Sequence, residues 1–192
     1  MKLIRGVGVN DADYAINPMV EGKQVMCLFY SRWTAMLERC YSAKLQERCP
    51  TYKGCFVVEE WLTFSKFRKW MIAQDWEGNQ LDKDLLIEGN KMYGPETCVF
   101  VCRELNSLLN ERNAARGDLP LGVVKHKKKY MSQVNKNGKI NYLGTFTSPE
   151  EAHQVWRNAK AQVILDSLVL TGDVRVKNAL RSRAKSLQES PN

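Results

Sequence analysis

LGVVKHKKKYMSQVNKNGKINYLGTF, Leu121 to Phe146, runs directly into TSPEEAHQVWRNAKAQVIL, ending at Leu165, and this stretch decides how the C-terminal part of the chain is read. It holds three short strand candidates. The last two are joined at Asn137-Gly138, a strong hairpin signal because both residues tolerate the positive φ of a tight turn. A three-stranded antiparallel sheet is expected. Ser148 then caps a helix, Pro149 takes its first position and Glu151 completes a capping box. Ala152, Val155, Trp156, Ala159 and Val163 form an apolar stripe that packs this helix on one face of the sheet. The other face is left free.

The charge is concentrated in the same part. From Leu119 to Asn192 there are 13 Lys/Arg against 5 Asp/Glu, which accounts for the whole net charge of +8, and residues 1–118 balance. A basic segment joined to a neutral one points to a polyanion partner for the first and another task for the second. Scattered lysines only keep a protein dissolved, but the run His126-Lys127-Lys128-Lys129 beside expected strands favours nucleic-acid contact. The tail from Thr171, with Arg175, Lys177, Arg181, Arg183 and Lys185, is expected either to form a basic helix against DNA or to be disordered alone.

The N-terminal part reads as a different α+β unit. Residues 1–24 have no period, and the GVG within them precedes no strand-to-helix unit, so no nucleotide cofactor is implied. From Ser31, a candidate cap, Trp33, Met36, Leu37, Cys40 and Tyr41 recur at helical spacing. Arg32, Arg39, Lys44 and Arg48 lie off that stripe, where phosphate contact and a solvated face are equally good readings. Cys55 to Val58 reads as a short strand, and residues 65–74 as a second helix with Phe64, Phe67, Trp70 and Met71 inward. Then comes LDKDLLIEGNKMYGPETCVFVCRELN, Leu81 to Asn106: a strand over 80–86, a Gly/Asn/Pro loop, a strand over 98–102, and a helix whose Leu105, Leu108 and Leu109 face inward. That order lets Asp82, Lys83 or Asp84 converge with Asn106. The segment ARGDLP, with Gly117 and Pro120, is the expected linker.

At 192 residues and 44% apolar content the chain can bury packed cores. No run approaches the ~18 apolar residues of a membrane span, and MKLIRGVGVNDADY lacks the apolar core of a signal peptide, so no membrane partner and a cytoplasmic setting are expected. The six cysteines contain no CxxC pair and are expected as free buried thiols. A structural zinc site from Cys49, Cys55, Cys98 and Cys102 is disfavoured, since C-x5-C and C-x3-C are looser than zinc spacings.

The order GV, a basic turn, Tyr130-x-Ser132-x-Val134, Asn-Gly-Lys, LGTF and SPEEA resembles the APETALA-two/ethylene-response-factor type of DNA-binding domain over roughly forty residues. The resemblance implies a three-stranded sheet that enters the major groove. Its outward positions here are Val124, His126, Gln133, Asn135, Ile140 and Tyr142, bordered by Lys125, Lys127, Lys128, Lys129 and Lys139. The family's arginines are mostly absent. Gln133 and Asn135 can read adenine, so a modest base code on top of phosphate binding is expected.

Residues 30–112, in the order YSRWTAMLERCY, PTYKGCFV, EEWLTFSKFRKWM, LDKDLL, GN and YGPETCVFV, resemble phage-encoded HNH-type homing endonucleases, in which an APETALA-two-like module commonly follows. The resemblance implies a ββα-metal finger with one divalent ion, Mg²⁺ or Mn²⁺, held by Asp82 and Asn106, and a bacterial host cytoplasm. Lys83 stands where the family has its base histidine, and the only histidines, His126 and His153, lie in the other domain. Three substitutes are open: Lys83 as base, Asp84 as base in a shifted register, or a metal-bound water that ionises unaided. Asn90 could pin the finger loop. The expected organisation is therefore an HNH-like nuclease domain over 1–118, an APETALA-two-like domain over 119–167 and a basic tail over 168–192. The expected function is cleavage of double-stranded DNA, with Asp82, Lys83, Asp84 and Asn106 at the reacting phosphate. The alternative is a catalytically inactive DNA-binding or regulatory protein on the same scaffold.

Overall fold

The computed structural model describes residues 3–109 and 118–189. Parts of the expected linker and the last residues of the finger resemblance, up to Arg112, lie outside them. The protein is mixed α+β, with small sheets, and divides into two compact units, Met1–Val101 and Cys102–Asn192. Among the described residues no helix is long and apolar enough to cross a membrane.

In the first unit the N-terminal segment is built in rather than loose. Ile4 bridges Gly8, Val9 bridges Thr63, and Asp11 accepts hydrogen bonds from the amide and hydroxyl of Ser65, at the start of a helix. Gly8 is required there, since a Cβ would overlap Leu37 and Trp33. A short hairpin follows (β1, Met19–Val20; β2, Lys23–Gln24), then α1 (Leu28–Tyr41) and α2 (Ala43–Arg48). Helix α1 starts three residues before the expected Ser31, with Cys27 at its N-cap and no side-chain cap. Its buried residues are Tyr30, Trp33, Met36, Leu37 and Cys40, so the expected stripe gains Tyr30 one turn earlier while Tyr41 is only half-buried.

Strand β3 (Phe56–Val57) and α3 (Phe64–Ile72) come next, and Trp33 Nε1 donates to Trp61 O at 2.7 Å between them. The core gathers Trp33, Trp61, Phe64, Phe67 and Met71. Strand β4 (Gln80–Asp82) pairs antiparallel with β6 (Val99–Val101). The first of these is shorter than the expected 80–86, because Asp82 Oδ1 accepts from the amides of Asp84 and Leu85, both at 2.7 Å, and turns the chain out of the ladder. The intervening loop also contains an unforeseen strand, β5 (Met92–Tyr93), parallel to β3.

In the second unit α4 (Arg103–Leu108) is followed by β7 (Val123–His126), β8 (Lys129–Lys136), β9 (Lys139–Phe146), α5 (Pro149–Asp166) and α6 (Val174–Glu189). The expected first-domain boundary at 118 is therefore displaced. Leu108 of α4 packs into the core of the second unit with Val134, Trp156 and Val163, and Lys160 Nζ donates to Leu108 O at 2.6 Å. The three strands form the expected antiparallel sheet, in the order β7-β8-β9, and Asn137 (φ 53°) with Gly138 (φ 77°) makes the tight turn. Ser148 caps α5 as read, its hydroxyl accepting from Glu151 N, while the Glu151 carboxylate accepts from the Thr147 hydroxyl at 3.0 Å rather than closing a capping box on the Ser148 amide.

Gly122 (φ 74°) lies against the Trp156 indole, where any side chain would overlap the ring. The segment expected as a separate tail is part of this core. Val176, Leu180 and Ala184 of α6 are buried, α6 packs on α5, and the buried Arg157 Nε donates to Leu187 O at 2.6 Å.

Candidate functional site

Two places hold the residues singled out from the sequence, one in each unit. In the second unit, residues paired across antiparallel strands point to the same face, so the register decides which side chains stand together. Val123 pairs with Ser132, which pairs with Gly144, and Val134 pairs with Asn141. Val123, Ser132 and Val134 are buried, which makes this the helix side. The opposite side carries His126 with Lys129, Val124 with Met131 and Thr145, Gln133 with Tyr142, and Asn135 with Ile140. A bulge between Ser132 and Gln133 absorbs one extra residue of β9 and keeps both Tyr142 and Thr145 outward, their hydroxyls 2.7 Å apart.

The six outward residues drawn from the resemblance thus share one face. Val124, Ile140 and Tyr142 are exposed, as are His126 and Asn135, while Gln133 is half-buried. Lys127 and Lys128 form the β7–β8 turn, Lys127 with φ 55°, a conformation that costs a side-chain-bearing residue about 1 kcal/mol. Lys125 and Lys139 carry the register of the helix side and stand exposed at its ends. The face contains no arginine and no carboxylate. Among described residues, the side-chain amides of Gln133 and Asn135 form no hydrogen bond.

In the first unit, Asp82, Lys83 and Asp84 form the turn that leaves β4. Lys83 is buried, 5% exposed, and its ammonium reaches Asp84 Oδ1 at 2.6 Å, Asp84 Oδ2 at 2.7 Å and Asn90 O at 2.6 Å. Asn90 closes the loop from the other side: its Nδ2 donates to Lys83 O at 2.8 Å and Met92 O at 2.7 Å, and its Oδ1 accepts from Met92 N. Asn90 thereby pins the loop as its position in the sequence suggested.

Burial pushes the Asp82 carboxyl above the ordinary carboxylate range, against the two amide hydrogen bonds from Leu85 and Asp84, which pull it down. Beside it is a group that the helical pattern left ambiguous. Arg39 of α1 is half-buried, its guanidinium 5.7 Å from the Tyr52 ring centroid and within electrostatic reach of Tyr93 and Asp82. Burial opposes its charge, but Tyr93, Tyr52 and Asp82 together hold its pKa above the usual arginine value.

Comparison with family models, curated proteins and solved structures finds no match.

Asn106 sits in the first turn of α4 and belongs to the second unit, whereas Asp82 belongs to the first. Among the described residues no three or more of His, Cys, Asp and Glu gather as a metal-holding group. All six cysteines are free, and Cys40, Cys55 and Cys98 are buried. Burial raises the Cys40 and Cys98 thiols to about 12 and also raises Cys55, so all three stay protonated and inert at neutral pH.

Tyr52 and Tyr93 were missed from the sequence because each borders an apolar run that already explains its neighbours, whereas Arg39 was read as either a phosphate contact or part of a solvated face. The one available signal was Arg39 itself, three residues after Met36 and adjacent to Cys40.

Proposed function

We propose that this protein binds duplex DNA against the exposed face of β7, β8 and β9, and that its first unit carries the two strands, β4 and β6, of a degenerate ββα-metal finger. The observation that carries the binding reading is the strand register. It sets an exposed row of groups able to hydrogen-bond or pack on bases between lysine-bearing turns, while the opposite face is committed to α5. The whole net charge of the chain resides in the same part, and the major groove, about 12 Å wide, admits a narrow β-ribbon. Titrating the full chain with a labelled duplex tests this. Affinity should fall steeply between low and moderate salt as lysine–phosphate contacts release counterions; affinity indifferent to salt, or none, would contradict it.

A second reading, hydrolysis of a phosphodiester by the finger, is favoured by Asp82. One of its oxygens accepts two amides, and the other accepts no hydrogen bond from a described residue. Magnesium commonly takes one or two carboxylates and completes its shell with water and phosphate, so Asp82 suits Mg²⁺ or Mn²⁺ as one ligand. Asp84 suits it poorly, since both its oxygens hold Lys83. When bound, such an ion supplies positive charge and an ionised water. Arg39 offers a guanidinium for the phosphate. Lys83 has an acceptor at each of its three N–H donors, which assigns it the positioning of Asp84 and the loop. Asn106 keeps only the ligand role that the resemblance gives it.

Incubating plasmid DNA with Mg²⁺ or Mn²⁺, and again with EDTA, separates the readings. Cleavage that EDTA and Asp82→Ala both abolish supports the nuclease; binding without cleavage under either metal leaves the inactive DNA-binding protein.

A further inference from the structure

The cross-strand pairs indicate which base pairs the sheet face suits, an inference that rests on the duplex-binding reading. Asn135 stands opposite Ile140, and Gln133 opposite Tyr142. Each row therefore couples a carboxamide to an apolar group about 5 Å away on the same face. Ile140 is 68% exposed and Tyr142 is 62% exposed. The Tyr142 hydroxyl meets that of Thr145 at 2.7 Å, and the Tyr142 ring stands exposed beside it. The adjoining row of Val124, Met131 and Thr145 is also uncharged. On this face Lys129 stands at the β7–β8 turn; at the other turn Lys136 and Lys139 carry the register of the helix side, and Lys136 pairs with Asp166.

In the major groove an A·T pair presents the adenine N7 acceptor and N6 donor together with the thymine methyl, whereas guanine presents two acceptors and cytosine carries no methyl. A carboxamide has one donor and one acceptor group. It satisfies both on adenine, but on guanine its oxygen faces another acceptor. An apolar side chain beside it covers a thymine methyl of the same or the next base pair.

We propose that this sheet face selects A·T pairs, with Asn135 and Gln133 reading adenine edges while Ile140 and Tyr142 pack on neighbouring thymine methyls. The lysines at the turns contact phosphate and set the docking without carrying sequence information.

The test uses the full chain and duplexes of equal length at one salt concentration: alternating A·T, alternating G·C, the A·T duplex with deoxyuridine for thymine, and the A·T duplex with 7-deazaadenine. The A·T duplex should bind at least about tenfold tighter than G·C, the discrimination of a single good amide–adenine pair. Deoxyuridine removes only the methyl; it should weaken the wild type several-fold and leave Ile140→Ala indifferent. The 7-deaza base should weaken the wild type but not Asn135→Ala. Equal affinity for A·T and G·C with steep salt dependence would overturn the selection and leave duplex binding standing. An A·T preference untouched by both modified bases would also overturn it, since the duplex shape would then be what is read. Failure to bind any duplex would overturn the underlying reading itself.

Discussion

The turn after β4 and the outer face of β7–β9 are both polar, yet they treat their polar groups in opposite ways. In the turn most strong groups are answered internally: the Lys83 ammonium by Asp84 and Asn90, the Asn90 amide by Lys83 and Met92, and one of the two Asp82 oxygens by two amides. On the sheet, the amides of Gln133 and Asn135 form no hydrogen bond to a described residue, and Ile140 and Tyr142 are exposed. Polar groups bonded within the chain hold a shape; exposed ones beside exposed apolar groups leave a surface open to solvent. The polar groups of the turn fix a loop around a single half-available carboxylate, whereas those of the sheet form a surface.

The sharpest way to break this comparison is to disturb the support of the sheet without touching its face. Gly122→Ala places a methyl into the Trp156 ring at a positive φ. It should destabilise the second unit by about 3 kcal/mol or more, combining overpacking with backbone strain. Denaturant unfolding measures this, and an unchanged midpoint would mean that the helix-to-sheet packing is not what holds the face.

In the first unit the corresponding change is Lys83→Met. It leaves Asp84 and the Asn90 carbonyl without their shared donor and should cost about 2 kcal/mol, towards the middle of the range for hydrogen bonds to charged groups because Asp84 is half-exposed. DNA affinity should stay near wild type, since the sheet lies in the other unit. A loss of affinity without a loss of stability would contradict the positioning role.

Much of the second unit was legible in the sequence because its signals are local: a turn pair at Asn137-Gly138, a helix cap at Ser148, and alternation along β8. The first unit was less so. Its stretch over 80–86 alternates like a strand, but the Asp82 side chain captures two amides and ends the ladder, a competition between side chain and backbone that periodicity does not register. Strand β5 escaped because its partner β3 is distant in sequence and each contributes two residues. The candidate site followed the same pattern. The outward residues of the sheet came from the family resemblance, while Arg39 comes near Tyr93 and Asp82 only through tertiary packing.

Changing Lys127, Lys128 and Lys129 together to Ala should leave stability nearly unchanged, because all three are exposed. The slope of log affinity against log salt should become shallower by about 0.9 for each phosphate contact removed. An unaltered slope would separate this turn from the DNA.

The smallest effect concerns pH. Because burial raises the Asp82 pKa in the folded chain, the unfolded chain gives up that proton more readily, and ionisation of Asp82 opposes folding. The stabilising contribution of the protonated form is complete below the ordinary aspartate pKa and is lost as pH rises through the raised folded value. Asp82→Asn keeps an oxygen for the two amides and removes the charge. Relative to wild type it should therefore gain stability as pH rises from acid to neutral, read as a difference in Tm that opens across that window. A difference that stayed constant with pH would contradict the assignment.

The most direct test of the central claim, that the outer face of β7–β9 holds DNA, is the affinity of the full chain for a labelled duplex before and after Tyr142→Glu. Tyr142 is 62% exposed and makes one surface hydrogen bond, so the variant should fold with an unchanged Tm. A carboxylate in the middle of the face would confront the phosphate-lined groove, and affinity should fall at least about tenfold, the effect of 1.4 kcal/mol. Wild-type affinity in a folded Tyr142→Glu protein would show that DNA, if bound at all, is held elsewhere.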